Sequence, residues 1–315
     1  MNASAAELSL LPDFDHLQLL DLSRTNLNDD ILATLSKSVS LETLVIDETQ
    51  VSNEGLSRLE ATTRWRALSL GGTTVADEGL AGIGKLPQLR CLSLRNCPNV
   101  TDKAFAGVRN VNLLVEIDLS NTSISDETLR VLRQAQSLRV INLESTAVTD
   151  VGTKELGDAA SLTLINLSAT RVSTSGISHL GKCANVEYLL LSNMSFAKGV
   201  AKALGKRKHL KHLLLSNTTI DSEDIAQIID SCPRLEMLSL SGTSADDAAL
   251  MACSKHTHLR WLDLTNCPRI TASGVKELKR CRSLEYISTL SRNGSEISKE
   301  ISSLVKEFGG TLFAN

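Results

Sequence analysis

Apolar residues return along this chain at a fixed interval. Leucine-rich segments open at Leu17, Leu41, Trp65, Leu89, Leu114, Leu138, Leu162, Val186, Leu210, Leu235, Leu259 and, in degraded form, Leu284. The spacing is 24 residues, stretched to 25 at three steps. A period of this size marks an array in which each unit buries its apolar face against its neighbours. In the unit Leu138–Ser161, Leu138, Ile141 and Leu143 take unit positions 1, 4 and 6. Positions 4 and 6 share one face of an extended strand, because side chains alternate with period two. Thr149-Asp150 then reads as a helix N-cap followed by an acid in the first turn. Each unit is therefore predicted to be a strand, a turn, a short helix and a return loop. The strands should stack in parallel with helices on the outside.

Two further columns fix the register. Position 9 reads Thr25, Thr49, Thr73, Cys97, Thr122, Thr146, Thr170, Met194, Thr218, Thr243 and Cys267. A small hydroxyl or thiol suits a chain leaving a strand, where backbone groups need partners. We expect this column to bond from unit to unit, and Met194 to make its turn irregular. Position 19 is apolar throughout, from Leu35 to Leu278. At the ends, residues 1–16 are expected to form an N-terminal cap, with Leu8, Leu11 and Phe14 covering the first repeat. Residues 17–290 form the array. Residues 291–315 supply a capping helix and tail, because Ile297, Ile301, Leu304 and Phe308 line one helical face.

The segments LRCLSLRNCPNVTD (89–102) and LRWLDLTNCPRIT (259–271) resemble the cysteine-containing subtype of leucine-rich repeat proteins, known from F-box proteins. The resemblance covers roughly residues 17–290. It implies an α/β solenoid, a horseshoe of about twelve repeats, with a concave parallel sheet and short convex helices. Many members of the subtype are ubiquitin-ligase substrate receptors with an F-box before the repeats. The 16 residues ahead of Leu17 are too few for that module.

Composition narrows the function. Aromatics are 3% of the chain, so the core is aliphatic. A net charge of −3 gives no general attraction to nucleic acid or anionic membrane. No basic-then-apolar leader or spanning segment is evident, and seven cysteines without paired spacing fit a reducing compartment. The expected location is intracellular, in the cytoplasm.

Outward strand positions 3 and 5 should line the concave face. Both tyrosines and one of the two tryptophans fall in column 3. Val140, Leu164, Tyr188, Leu190, His212, Leu214, Met237, Trp261 and Tyr286 make an apolar run where solvent should select polar residues. Exposed apolar patches with aromatic residues mark protein-binding surfaces. These nine are the candidate partner-binding residues, unless the chain's own C-terminal tail covers them. The basic run Lys198, Lys202, Lys206, Arg207, Lys208 and Lys211 reads first as a solvated helix face and second as an RNA contact. The pairs His209/His212 and His256/His258 lack converging cysteines or carboxylates, so no metal is expected. Periodic cysteines read as small buried apolar residues. Cys91 faces outward, where a thiol can react, but Arg90 and Arg95 beside it are weak grounds for a lowered pKa.

No catalytic triad, phosphate loop or paired acids stand outside repeat register, so neither an enzyme nor a cofactor is expected. The expected function is a non-enzymatic scaffold, a monomeric chain or a subunit of a larger complex, binding a protein on the C-terminal concave face. The alternatives are a ubiquitin-ligase adaptor without its own F-box, and an RNA-facing subunit of a ribonucleoprotein.

Overall fold

The computed structural model describes residues 16–59, 63–106, 111–157, 159–289, 294–308 and 313–314. Residues 1–15, Arg292 and the Gly309-Gly310 pair lie outside these, so the cap assigned to residues 1–16 is not described beyond His16. The chain forms two compact units, Met1–Leu162 and Thr163–Asn315.

The first unit carries six three-residue strands: β1 (Leu19–Asp21), β2 (Thr43–Val45), β3 (Ala67–Ser69), β4 (Cys91–Ser93), β5 (Glu116–Asp118) and β6 (Val140–Asn142). Consecutive strands pair in parallel, each residue facing its counterpart one repeat away. The middle residues Leu44, Leu68, Leu92, Ile117 and Ile141 are buried, as their predicted inward position requires. The second unit repeats this with β7 (Leu164–Asn166), β8 (Tyr188–Leu190), β9 (His212–Leu214), β10 (Met237–Ser239), β11 (Trp261–Asp263) and β12 (Tyr286–Ser288). Short helices such as Asp126–Leu132 and Asp150–Leu156 return the chain. Seven residues are too few for a helix to persist alone in water, so packing of their apolar side chains against the strands holds them. The result is an α/β leucine-rich repeat solenoid.

The threonine column is buried except at the half-buried Thr25 and Thr170, but it does not link repeats as expected. Eight threonines, from Thr25 to Thr243, each donate Oγ1–H to the carbonyl three residues earlier, at 2.6–2.7 Å. They close their own turn. Among the described residues, only the cysteine replacements reach back one repeat: Cys97 to the Leu70 carbonyl at 3.3 Å and Cys267 to that of Leu240 at 3.0 Å. Met194 is buried, and its turn lacks the regular form, as expected. Phe196 is also buried, and the helix Val200–Leu204 is framed by Gly199 and Gly205, both at positive φ.

Helix-start carboxylates link consecutive repeats instead. Asp126 accepts from both the backbone N–H (2.8 Å) and the hydroxyl (2.7 Å) of Thr149, the N-cap of the next helix. Asp29 receives Ser52 in the same way, Asp77 receives Thr101, and Asp247 receives Thr271. Asp102 accepts from four donors, the N–H and hydroxyl of Ser125 and of Thr128. The link explains a helical glycine. A Cβ on Gly152 would stand 2.4 Å from Asp126 Oδ1, and one on Gly274 would stand 2.2 Å from Asp247 Oδ1. At repeat 8 the arrangement reverses. Lys198 stands where the acid should be, and Asp224 of the following repeat accepts from Gly199 N–H at 3.0 Å and Ala201 N–H at 3.1 Å.

Position 8 also escapes the apolar pattern. It is left-handed in every regular repeat, with φ of 55–68° at Arg24, Glu48, Gly72, Asn96, Asn121, Ser145, Ala169, Asn193, Asn217, Gly242 and Asn266. Glycine and asparagine tolerate that conformation, and an alanine is strained in it.

The C-terminal helix, Gly294–Glu307, buries Ile297, Ile301 and Leu304, while Phe308 is half-buried beneath the Arg282 guanidinium. Glu307 binds Lys279 at 3.0 Å. Residues Phe313–Ala314 form β13, which pairs in parallel with β12 at the sheet edge. The described part of the tail thus extends the sheet and does not lie across its face.

Asp126→Ala is expected to lower unfolding stability by about 2 kcal/mol, since two charge-assisted bonds vanish and the Thr149 N–H is left unpaired. Gly152→Ala should also destabilise, although helix propensity alone favours alanine by about 1 kcal/mol; urea unfolding distinguishes the signs. Ala169→Gly should stabilise by about 1 kcal/mol in the same assay. For Asp102, burial raises the carboxyl pKa, but the hydrogen bonds from Ser125 and Thr128 outweigh it and hold the value below 3.8. A depressed carboxylate contributes stability above its unfolded value and loses it as pH falls through the folded value. Melts from pH 5 to pH 2 should therefore show an acid loss that is smaller in Asp102→Asn.

Candidate functional site

The strand residues on either side of each buried middle residue point away from the helices. In the second unit, register places Leu164, Tyr188, His212, Met237, Trp261 and Tyr286 in one column. Leu190 and Leu214 stand in the neighbouring column with Asn166, Ser239, Asp263 and Ser288. Val140 lies on β6 of the first unit, paired by register with Glu116. All nine candidate residues are half-buried, a state intermediate between core and solvent.

Strand spacing near 4.8 Å brings rings of one column into contact. Trp261 and Tyr286 stack with centroids 5.5 Å apart and planes 4° from parallel. Tyr188 and His212 meet edge to face at 4.6 Å. In both pairs the rings already pack on each other.

Polar borders flank the column, and the apolar pattern did not reveal them. Strand position 2 runs Glu187, Lys211, Glu236, Arg260 and Glu285, alternating in sign. Lys211 binds Glu187 at 2.8 Å and Arg260 binds Glu285 at 2.7 Å. On the opposite border the Ser216 and Ser239 hydroxyls meet at 2.7 Å, and Ser239 donates to Asp263 at 3.0 Å. The sign alternation was readable down that column, but only after the repeats were aligned.

His212 faces this field directly. Burial lowers its pKa, Glu236 raises it, Lys211 lowers it and Glu187 raises it; the net position is below 6.5. The imidazole is therefore neutral at pH 7 and adds apolar surface beside Tyr188.

The remaining candidates divide. Arg207 is not part of an exposed basic patch. It is buried, donating to the carbonyls of Leu204 at 2.9 Å and Cys183 at 3.0 Å, and burial lowers its pKa. Lys211 binds Glu187 at 2.8 Å, and Lys198, Lys202, Lys206 and Lys208 stay exposed, Lys198 lying 3.9 Å from Asp221. His256 is buried with Nε2 3.0 Å from the Cys232 carbonyl, which assigns it to packing. Among the described residues, no three His, Cys, Asp or Glu side chains converge on a metal-sized site. The periodic cysteines are buried, and burial pushes Cys232 up to about 11 against the opposing charge of Arg207. Cys91 also lies above its ordinary value, raised by burial and Glu116 more than Arg90 lowers it. Arg90 therefore does not activate the thiol.

A family model described as the LRR repeats of an FBD-associated F-box protein matches residues 156–303. No curated protein matches the chain. Among solved structures, a chain of the Rad7 and Elc1 complex in yeast is similar at 18% identity and a TM-score of 0.68, over 91% of this chain and 79% of that one. An internalin (inlF) from Listeria monocytogenes is similar at 16% identity and a TM-score of 0.63, over 94% and 87%. The ectodomain of the Arabidopsis thaliana receptor kinase GASSHO1/SCHENGEN3, solved with CASPARIAN STRIP INTEGRITY FACTOR 2, matches at 21% identity and a TM-score of 0.55. That match covers 97% of this chain, which spans 36% of the ectodomain. At these identities the likeness is one of fold. Among the described residues, no helix is long and apolar enough to cross a membrane.

His212 should titrate by NMR with a midpoint below 6.5, and Glu236→Gln should move it lower still, because it removes an acid that favours the imidazolium. A midpoint unmoved or raised by that substitution would contradict the assignment.

Proposed function

We propose that this chain, a leucine-rich repeat protein, is a non-enzymatic scaffold that docks a protein on the strand face of its second unit. The observation that carries this reading is the column Tyr188, His212, Met237, Trp261 and Tyr286, half-buried between two polar borders. The equivalent column of the first unit holds Thr43, Ala67 and Cys91, so the repeat does not impose rings there. Tryptophan and tyrosine dominate the energetics of protein interfaces because they bury much area at low entropic cost. Leu164, Leu190 and Leu214 extend the same apolar surface, and Val140 belongs to it by column. The pre-stacked Trp261 and Tyr286 rings lower the ordering cost further. Repeats of this kind act as interaction modules, and the open sheet face offers no enclosed site for excluding water from a reaction.

A narrower reading is an adaptor in ubiquitin transfer. The match of residues 156–303 to the repeats of an F-box protein favours it. Co-purification with a cullin-type ligase would support it, and a partner set free of ligase components would oppose it. The RNA-facing alternative loses support with the burial of Arg207.

Affinity purification with mass spectrometry, comparing wild type with a Tyr188→Ala/Trp261→Ala chain, tests the main reading. Each truncation should cost about 1–3 kcal/mol, so the specific partners should fall roughly tenfold or more. The melting midpoint should change little, since both side chains are half-exposed. Retention of every partner by the folded double variant would defeat the proposal. Binding should also weaken as pH falls through the His212 midpoint, because protonation places a charge among apolar contacts.

A further inference from the structure

The first unit offers a second and different surface. Its outward columns carry Thr43, Ala67 and Cys91, and beside them Val45, Ser69 and Ser93. Where the second unit raises rings, these small side chains leave a recess of about 390 Å³ above β2, β3 and β4. The recess ends against β5, where Glu116 and Asp118 both line it. No cationic side chain is among the lining residues. The nearby arginines are committed in part: Arg66 binds Glu42 at 3.5 Å and Arg95 binds Asp47 at 3.4 Å. Arg90 and Arg139 also flank Glu116, Arg90 adjacent in sequence to Cys91 on β4 and Arg139 adjacent to Val140 on β6.

A floor of small side chains, Val45, Ala67 and Cys91 among the hydroxyls of Thr43, Ser69 and Ser93, and an anionic end wall together define the ligand's shape: an aliphatic stem with a cation at its tip. Glu116 and Asp118 are two residues apart on one strand, so their Cα atoms are separated by roughly 6–7 Å. A planar guanidinium with five donors can engage two carboxylates so placed, whereas an ammonium is a compact, strongly hydrated point charge. The recess is open along the strand face, which suits a side chain presented on another protein's surface better than an enclosed small molecule. We propose that it receives an arginine side chain of a protein partner. The stem lies on Val45, Ala67 and Cys91, and the guanidinium meets Glu116 and Asp118. This surface is independent of the aromatic column, and its failure would leave that reading intact.

The test uses the full chain, isotope-labelled, titrated with N-acetyl-arginine methylamide and its neutral counterpart N-acetyl-norleucine methylamide. The arginine probe should give saturable NMR shifts at the amides of Ala67, Cys91 and Glu116, with an affinity at least fivefold above that of norleucine. Glu116→Gln/Asp118→Asn should erase the difference, Ala67→Phe should block both probes, and Arg90→Gln should tighten the arginine probe. Equal affinity for the two probes would overturn the proposal. So would shifts that persist in the charge-neutral and filled variants when their melting midpoints match wild type. Tighter binding of free agmatine than of the blocked arginine would assign the recess to a small amine and overturn the protein-partner claim.

Discussion

Parallel strand pairing sets one distance that the rest of the molecule must obey. Neighbouring strands lie about 4.8 Å apart, and each repeat contributes one strand. Whatever occupies a unit position therefore meets its counterpart at nearly that separation on the next strand. Aliphatic side chains fill the space at inward positions. At outward positions the same distance stacks Trp261 on Tyr286 and sets Lys211 against Glu187. At the helix starts it lets a carboxylate reach the next N-cap. Core, link and candidate surface are three consequences of one spacing.

The fold was legible because burial repeats. Leu44, Leu68 and Leu92 say the same thing at the same offset, and each copy reinforces the others. The polar links were harder to read. A threonine in the turn and a threonine at the N-cap look alike in sequence, yet one closes its own loop and the other reaches its neighbour. The information was present in the pairing of Asp with a glycine one repeat later, which becomes meaningful only when a Cβ is seen to collide with that carboxylate. The left-handed position was likewise visible as a column of asparagine and glycine, but Arg24, Glu48, Ser145 and Ala169 obscured it.

The candidate surface was legible for the opposite reason. It departs from sameness, and departures stand out against eleven aligned copies. The column could be named from sequence, whereas its contacts could not. Ring geometry, the charge of His212 and the inward turn of Arg207 depend on neighbours up to a repeat away. Lysine and arginine in one run met different fates because an arginine can bury its stem and still satisfy two carbonyls.

The reversed link at repeat 8 bears on how such a chain can change length. Repeats 1, 3, 4, 5 and 10 carry their own acid and present it to the next repeat, so a copy of that kind could be inserted or lost and the junction re-formed. Repeats 8 and 9 have divided that role: one has Lys198 in the acid's place, and the other supplies Asp224 from the first turn of its own helix. Neither is interchangeable with its siblings. They form an inseparable couple, and it lies within the stretch that carries Tyr188 and His212. A lineage that duplicates or deletes units freely elsewhere would have to transmit these two together.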